Sequence, residues 1–200
     1  FGLPPQVTEV RTFLQNFSES IADHIVGPMR LALNPITDAL TAVKQIPKQL
    51  VKDLIPSAER VRFTGSGTES TLLAIRLARG FTGKKKLVKF REHFHGWHDH
   101  VAFGVDSHFD GTPSIGINDK VAQEIILVPP HDVDRVRQVL EGDDDVAAVM
   151  IEPIGSNSGK IPATGATLRQ LQEVTRRNGA LLIFDEVVTG FRVSPGGAQA

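Results

Sequence analysis

Two hundred residues with 40% apolar side chains and a formal net charge of −1 describe a folded globular chain, not a disordered one. The near-balanced charge argues against nucleic acid or an anionic membrane as partner, and no apolar run reaches the length of a membrane span. The absence of cysteine removes disulfides, thiolate nucleophiles and cysteine zinc sites, and the cytoplasm is the expected compartment.

Residues 1 to 56 have a helical pattern. Val7, Val10, Leu14, Phe17, Ile21 and Ile25 step by three or four and form one apolar stripe. Gly27-Pro28, Asn34-Pro35 and Ile46-Pro47 break the remainder of this segment into short helices. A helical N-terminal segment over 1–56 is therefore expected, followed by a separate domain over 57–200.

From Glu59 the pattern changes. Arg60-Val61-Arg62-Phe63-Thr64 alternates and predicts a strand, and Gly65-Ser66-Gly67-Thr68-Glu69 predicts a turn. Leu73, Leu77 and Phe81 recur at helical spacing, with Gly80 and Gly83 closing that helix. Leu87–Phe90 and Ile125–Val128 read as strands, separated by a Gly-, Asp- and Ser-rich loop over 99–120. Asp132 to Glu141 predicts a helix, Ala147–Ile151 a strand, Thr167 to Asn178 a helix, and Leu181–Phe184 a strand. Strands alternating with helices predict an α/β fold with a mainly parallel sheet and flanking helices.

The chemistry-bearing residues gather at strand ends. Leu181-Leu182-Ile183-Phe184 runs into Asp185-Glu186, and Ala147-Ala148-Val149-Met150-Ile151 runs into Glu152-Pro153. Open α/β sheets bind ligands in the crevice at the strands' carboxyl ends, where Glu152 and Asp185 would stand together. Between a strand and a helix, Ser66 and Glu69 have capping-box spacing, and a helix N-terminus flanked by glycines favours an anion such as phosphate. The turn is neither a Walker loop nor a dinucleotide fingerprint, so a plain helix cap is the alternative. His93-Phe94-His95-Gly96-Trp97-His98-Asp99-His100 admits two readings, a zinc site and an aromatic platform. Without a carboxylate or cysteine frame the platform is favoured, with Phe94 stacking on a flat ring, His95 beside it and Gly96 leaving room. A carboxylate such as Asp185 keeps a ring nitrogen protonated. Phosphate turn, stacking aromatic and ring-nitrogen carboxylate together describe a pyridoxal phosphate site.

From about Gln49 to Ala200 the chain resembles the class III, fold type I pyridoxal-phosphate aminotransferases, in particular the glutamate-1-semialdehyde 2,1-aminomutase-like members. The resemblance rests on Pro56–Glu69, His93-Phe94-His95-Gly96, Ile151-Glu152-Pro153-Ile154 and Phe184–Val193, in the family's order and spacing. It implies pyridoxal 5'-phosphate as cofactor, amino-group transfer on an amino acid or a keto or semialdehyde substrate, and a homodimer. By the same resemblance Ser66, Gly67 and Thr68 bind the phosphate, and Phe94, where the family commonly has Tyr, stacks on the pyridine. His95 and Asn157 stand near the cofactor, Glu152 is the family's Glu-Pro glutamate, Asp185 is the ring-nitrogen partner, and Val187 packs on the opposite ring face. The family's Schiff-base lysine lies beyond its Asp-Glu-Val stretch. With both ends of the chain reading as cut, a partial large domain without that lysine, inactive alone, is expected. Lys84, Lys85, Lys86 and Lys160 read as solvated charges. Residues 1–48 do not match the family. An inactive remnant of the family, or a phosphate- or nucleotide-binding α/β module of another kind, are the competing readings.

Overall fold

The computed structural model describes residues 48–55, 57–155 and 162–200. The chain divides into two compact units, Phe1–Asp53 and Leu54–Ala200, and the second contains the sheet and the candidate site. The expected helical stripe over residues 7–25 lies outside the described residues. Of the N-terminal segment, residues 48–55 are described, and 48–54 form a short helix, α1.

Four strands form one parallel sheet. They are β1 (Lys86–Phe90), β2 (Ile125–Val128), β3 (Val146–Ile151) and β4 (Leu181–Phe184), in the order β2-β1-β3-β4. Each is a short run rich in Val, Ile and Leu, the composition of strands covered on both faces. The register stacks side chains in rows across the sheet. Ile126, Val88, Val149 and Leu182 form one row, and Leu127, Lys89, Met150 and Ile183 the next. Because side chains alternate along a strand, the two rows face opposite sides.

Four further helices accompany the sheet: α2 (Gly67–Thr82), α3 (Asp119–Ala122), α4 (Val133–Gly142) and α5 (Gly165–Arg177). Their starts are chemically marked. Ser66, Asp132 and Thr164 accept from the amides of Glu69, Arg135 and Thr167 at 3.2, 2.8 and 3.1 Å. On one face Val88, Phe90, Val149 and Ile151 pack with Val136 and Leu140 of α4 and Leu171 and Val174 of α5. On the other, Leu87, Ala148 and Met150 pack with Ile75 and Ala78 of α2 and with Val101 and Phe103 of a loop.

Two expectations are corrected. Arg60–Thr64 is not a strand; residues 61–64 belong to no helix or strand, and Phe63 is half exposed. Its alternation marks a surface segment and lacks the continuous apolar run of a strand buried on both faces. On α2 the stripe Leu73, Leu77 and Phe81 does not face the core. Thr71, Ile75 and Ala78 are buried, while Leu77 and Phe81 are exposed. Helical spacing alone does not say which stripe of a doubly apolar helix turns inward. Gly80 lies within the helix, and only Gly83 closes it, at φ 73°.

The topology selects a position for ligands. The chain leaves β1 for β2 on one side and later returns to β3 on the other, so the order reverses between β1 and β3. The crevice above such a switch point is where α/β sheets bind ligands. Phe90, with no exposed surface, closes β1 just below it. Phe90→Ala should cost about 3–5 kcal/mol, read as a lowered urea midpoint with an unchanged denaturant slope.

Candidate active site

The site is assembled from the carboxyl ends of β1, β3 and β4 and from the start of α2. Residues 91–104 leave β1, turn over the sheet and return, with Glu92 N–H donating to Gly104 O at 2.8 Å. The positive φ of Glu92, 66°, starts the turn. Phe94 N–H donates to Glu152 Oε2 at 2.8 Å, and Glu152 N–H donates to His93 Nδ1 at 3.0 Å. These reciprocal bonds cross the switch point and tie the end of β1 to the end of β3.

His95 lies beside this pair, fully buried. Its Nδ1 is 2.8 Å from Asp185 Oδ2. A carboxylate oxygen accepts, so Nδ1–H donates in this bond. Asp185 is held twice more, by Val187 N–H to Oδ1 at 3.1 Å and by its own N–H to Ile151 O at 2.8 Å. Thr71 of α2 donates its hydroxyl to His95 O at 2.7 Å and so fixes the loop to that helix. A hydroxyl has one proton, so towards His98 Nε2, at 3.2 Å, Thr71 accepts.

The four histidines of 93–100 therefore go to four different partners: the Glu152 amide, Asp185, Thr71 and Arg79. Burial pushes His93 down to about 3 and His98 to about 4, with neighbouring His95 and His131, and His100 and His95, adding to the effect respectively. Among the described residues no three His, Asp or Glu side chains are arranged to hold a metal ion.

A cavity of ≈ 240 Å³ opens where these pieces meet, lined by Gly67, Thr68, Phe94, His95, Gly96, Glu152, Val187 and Val188. Gly96 is sterically required, and Gly67 is in close contact with a Val187 methyl. A Cβ on Gly96, at φ 111°, would lie 2.7 Å from Thr68 Oγ1, and one on Gly67 would lie 3.1 Å from Val187 Cγ2. The first N–H groups of α2 face no earlier turn and are available to an anion. His95 Nε2, buried in the wall, has no hydrogen-bond partner among the described residues. Phe94 is partly exposed at 37% and makes an edge-to-face contact with Trp97 at 5.6 Å and 77°.

Of the residues singled out in the sequence, Gly67, Thr68, Phe94, His95, Glu152 and Val187 line one cavity. Asp185 stands directly behind His95. Ser66 is outside the lining and caps α2. Asn157 lies outside the described residues. Sequence reasoning gave no role to Lys89, His93 as an acceptor, or Thr71. For Lys89 the signal was present, a single charge inside the buried run Leu87-Val88-Lys89-Phe90.

The aminotransferase class-III model matches residues 29–198, which corrects the expectation that the likeness begins only near Gln49: residues 29–48 match as well. The chain belongs to that family. It is 49% identical over 193 residues to a glutamate-1-semialdehyde 2,1-aminomutase of Methanococcus maripaludis, covering 93% of this chain and 44% of that protein. Among solved structures, a transaminase described as having PLP bound is 31% identical, with a TM-score of 0.70 over 78% of this chain and 37% of the other. An omega-transaminase from Sphaerobacter thermophilus is 34% identical, with a TM-score of 0.69 over 76% of this chain and 37% of the other. The chain thus spans less than half the length of each of these relatives.

The His93 geometry sets a pH dependence. Its folded-state value lies below the ordinary 6.5, so the unfolded chain takes up the proton first as pH falls. This contribution to stability is complete above pH 6.5 and is lost as pH falls towards 3. Urea midpoints between pH 7 and pH 4 should therefore fall less steeply for His93→Leu than for the wild type. At pH 7 the variant should be about 1–3 kcal/mol less stable, because the Glu152 amide loses its buried acceptor.

Proposed function

We propose that residues 57–200 form part of the large domain of a pyridoxal-phosphate enzyme, and that the whole protein transfers an amino group. The transfer is either between two molecules, as in a transaminase, or within one, as in a glutamate-1-semialdehyde 2,1-aminomutase. The substrate is a small amino acid with a keto or semialdehyde counterpart. The observation that carries this reading is the cavity above the β1/β3 switch point. It joins a helix N-terminus, an aromatic ring, an apolar Val187 and, through His95, a carboxylate.

Each wall has a task that this cofactor needs. The amides of Gly67 and Thr68, at the start of α2, hold the phosphate, with Ser66 keeping that turn in shape. Phe94 offers a face for the pyridine ring, and Val187 an apolar surface for its other side. Asp185 holds the proton on the ring nitrogen, and His95 fixes the carboxylate's orientation. Glu152 holds Phe94 in place through the Phe94 amide. When bound, pyridoxal phosphate supplies an electron sink that stabilises a carbanion at the amino-bearing carbon.

The protein is further proposed to act in the cytoplasm as a homodimer. Phe63, Leu72, Leu77, Phe81 and Trp97 all expose substantial apolar surface on the unit that holds the cavity. No helix among the described residues is long and apolar enough to cross a membrane. Light scattering at micromolar concentration should return the mass of a dimer or larger, and a sharp monomer would refute the assembly.

The cofactor assignment is tested by titrating the chain with pyridoxal phosphate and following Trp97 emission, since this lone tryptophan lies against Phe94. Quenching should saturate, and inorganic phosphate should compete where ATP does not. Asp185→Asn should weaken binding about tenfold, a loss of about 1.4 kcal/mol, because a neutral amide cannot stabilise the ring-nitrogen proton. An unchanged affinity in this variant, or preferential binding of ATP, would remove the assignment.

A further inference from the structure

Lys89 is the one polar side chain in the row Leu127, Lys89, Met150, Ile183, and it has no exposed surface. Its Nζ donates to Val101 O at 2.9 Å and to Phe103 O at 2.7 Å. Those carbonyls belong to the returning leg of the loop whose outgoing leg carries Phe94 and His95. The side chain thus reaches from the sheet floor to the point where the loop comes back, beside the bond from Glu92 to Gly104. We propose that Lys89 is a positioning residue of the site: its amine closes the neck of the 91–104 loop and thereby sets where Phe94 and His95 stand. This role for Lys89 rests on the pyridoxal-phosphate reading of the cavity.

The bonding matches a neutral amine. An –NH₂ group has two hydrogens, and two carbonyls receive them. Burial lowers Lys89 to about 7, with the charge of Glu152 opposing the shift. The groups that face it are few. Glu152 comes from the end of β3, and His93 and His98 from the loop, both held down in part by the Lys89 charge. The α2 side contributes apolar Ile75 and Ala78. Below about pH 7 the amine takes a proton at a position where burial disfavours the charge. The charge is relieved by admitting water, and the place to admit it is the neck of the loop. The same device makes stability rise with pH. The folded value lies below the ordinary 10.5, so this contribution is lost as pH falls from 10.5 through 7.

The test uses Lys89→Met, which keeps the length of the stem and removes both donors. At pH 8 the variant should bind pyridoxal phosphate about tenfold more weakly, and Trp97 anisotropy should drop. The wild-type change in anisotropy between pH 6 and pH 8.5 should be absent. Equal affinity and equal anisotropy in the two proteins would overturn the proposal. Should the variant not fold, amide exchange in the wild type decides. Corrected for intrinsic rates, protection over 92–104 relative to the four strands should fall at least fivefold from pH 8.5 to pH 6, and a constant ratio would overturn it. Failure of the wild type to bind the cofactor would sink the cofactor reading alone, because the anisotropy and exchange results still decide the role of Lys89.

Discussion

The site depends on the paired hydrogen bonds between the ends of β1 and β3. Two parallel strands diverge past their last ladder bond, and a crevice with mobile walls would be the default. Here Phe94 N–H meets the Glu152 carboxylate while Glu152 N–H meets His93 Nδ1. Each strand end donates to the other, so the crevice width is fixed by two bonds running in opposite senses. The direction of the second bond also settles the chemistry of His93. An imidazole that accepts at Nδ1 must be neutral with its proton on Nε2, in keeping with a titration pushed to about 3 by burial. Glu152 is placed for this by β3 itself, whose six buried residues run straight to its Cα.

Much of this architecture could be read from the chain. Four strands announced themselves as runs rich in Val, Ile, Leu and Phe, and one helix start as the Ser66 cap, while the helix expected from Thr167 begins two residues earlier, behind Thr164. Those signals are local, because a cap needs only its own first turn and a doubly covered strand needs only its composition. The carboxylates at the ends of β3 and β4 came from the same runs. What escaped were properties of pairs distant in sequence. Nothing within Arg60–Thr64 says that no strand lies beside it. Nothing within α2 says that Ile75, rather than Leu77, meets Met150. The bonds from Lys89 to Val101 and Phe103 span a loop whose path no periodicity describes.

Phe94 shows how the platform works without a hydroxyl. Its ring lies edge-to-face with Trp97, and its amide is bonded to Glu152. Such pairs of rings contribute about 0.5–1.5 kcal/mol beyond burial. The side chain therefore has a defined plane even though it is partly exposed. Gly96, two residues on, lets the chain pass so near Thr68 that any side chain would collide with the start of α2. Platform and helix start are thus set by one close approach.

The two faces of the sheet divide the work unequally. Against α4 and α5 the core runs from Val88 and Phe90 through Val136 to Leu171, with Thr175 of α5 buried and its hydroxyl bonded to Leu171 O within the helix. Against α2 the apolar cluster is interrupted by Thr71 and Lys89, both buried and both bonded to backbone carbonyls. A buried polar group returns little net stability even when its bonds are made, whereas apolar burial returns roughly 25 cal/mol per Å². The helical face consequently carries the stability of the unit, and the α2 face gives part of its interior to orientation. Local opening should begin on that second face. It is the same face from which the 91–104 loop rises, so the least stable part of the unit is the part that holds the cavity wall.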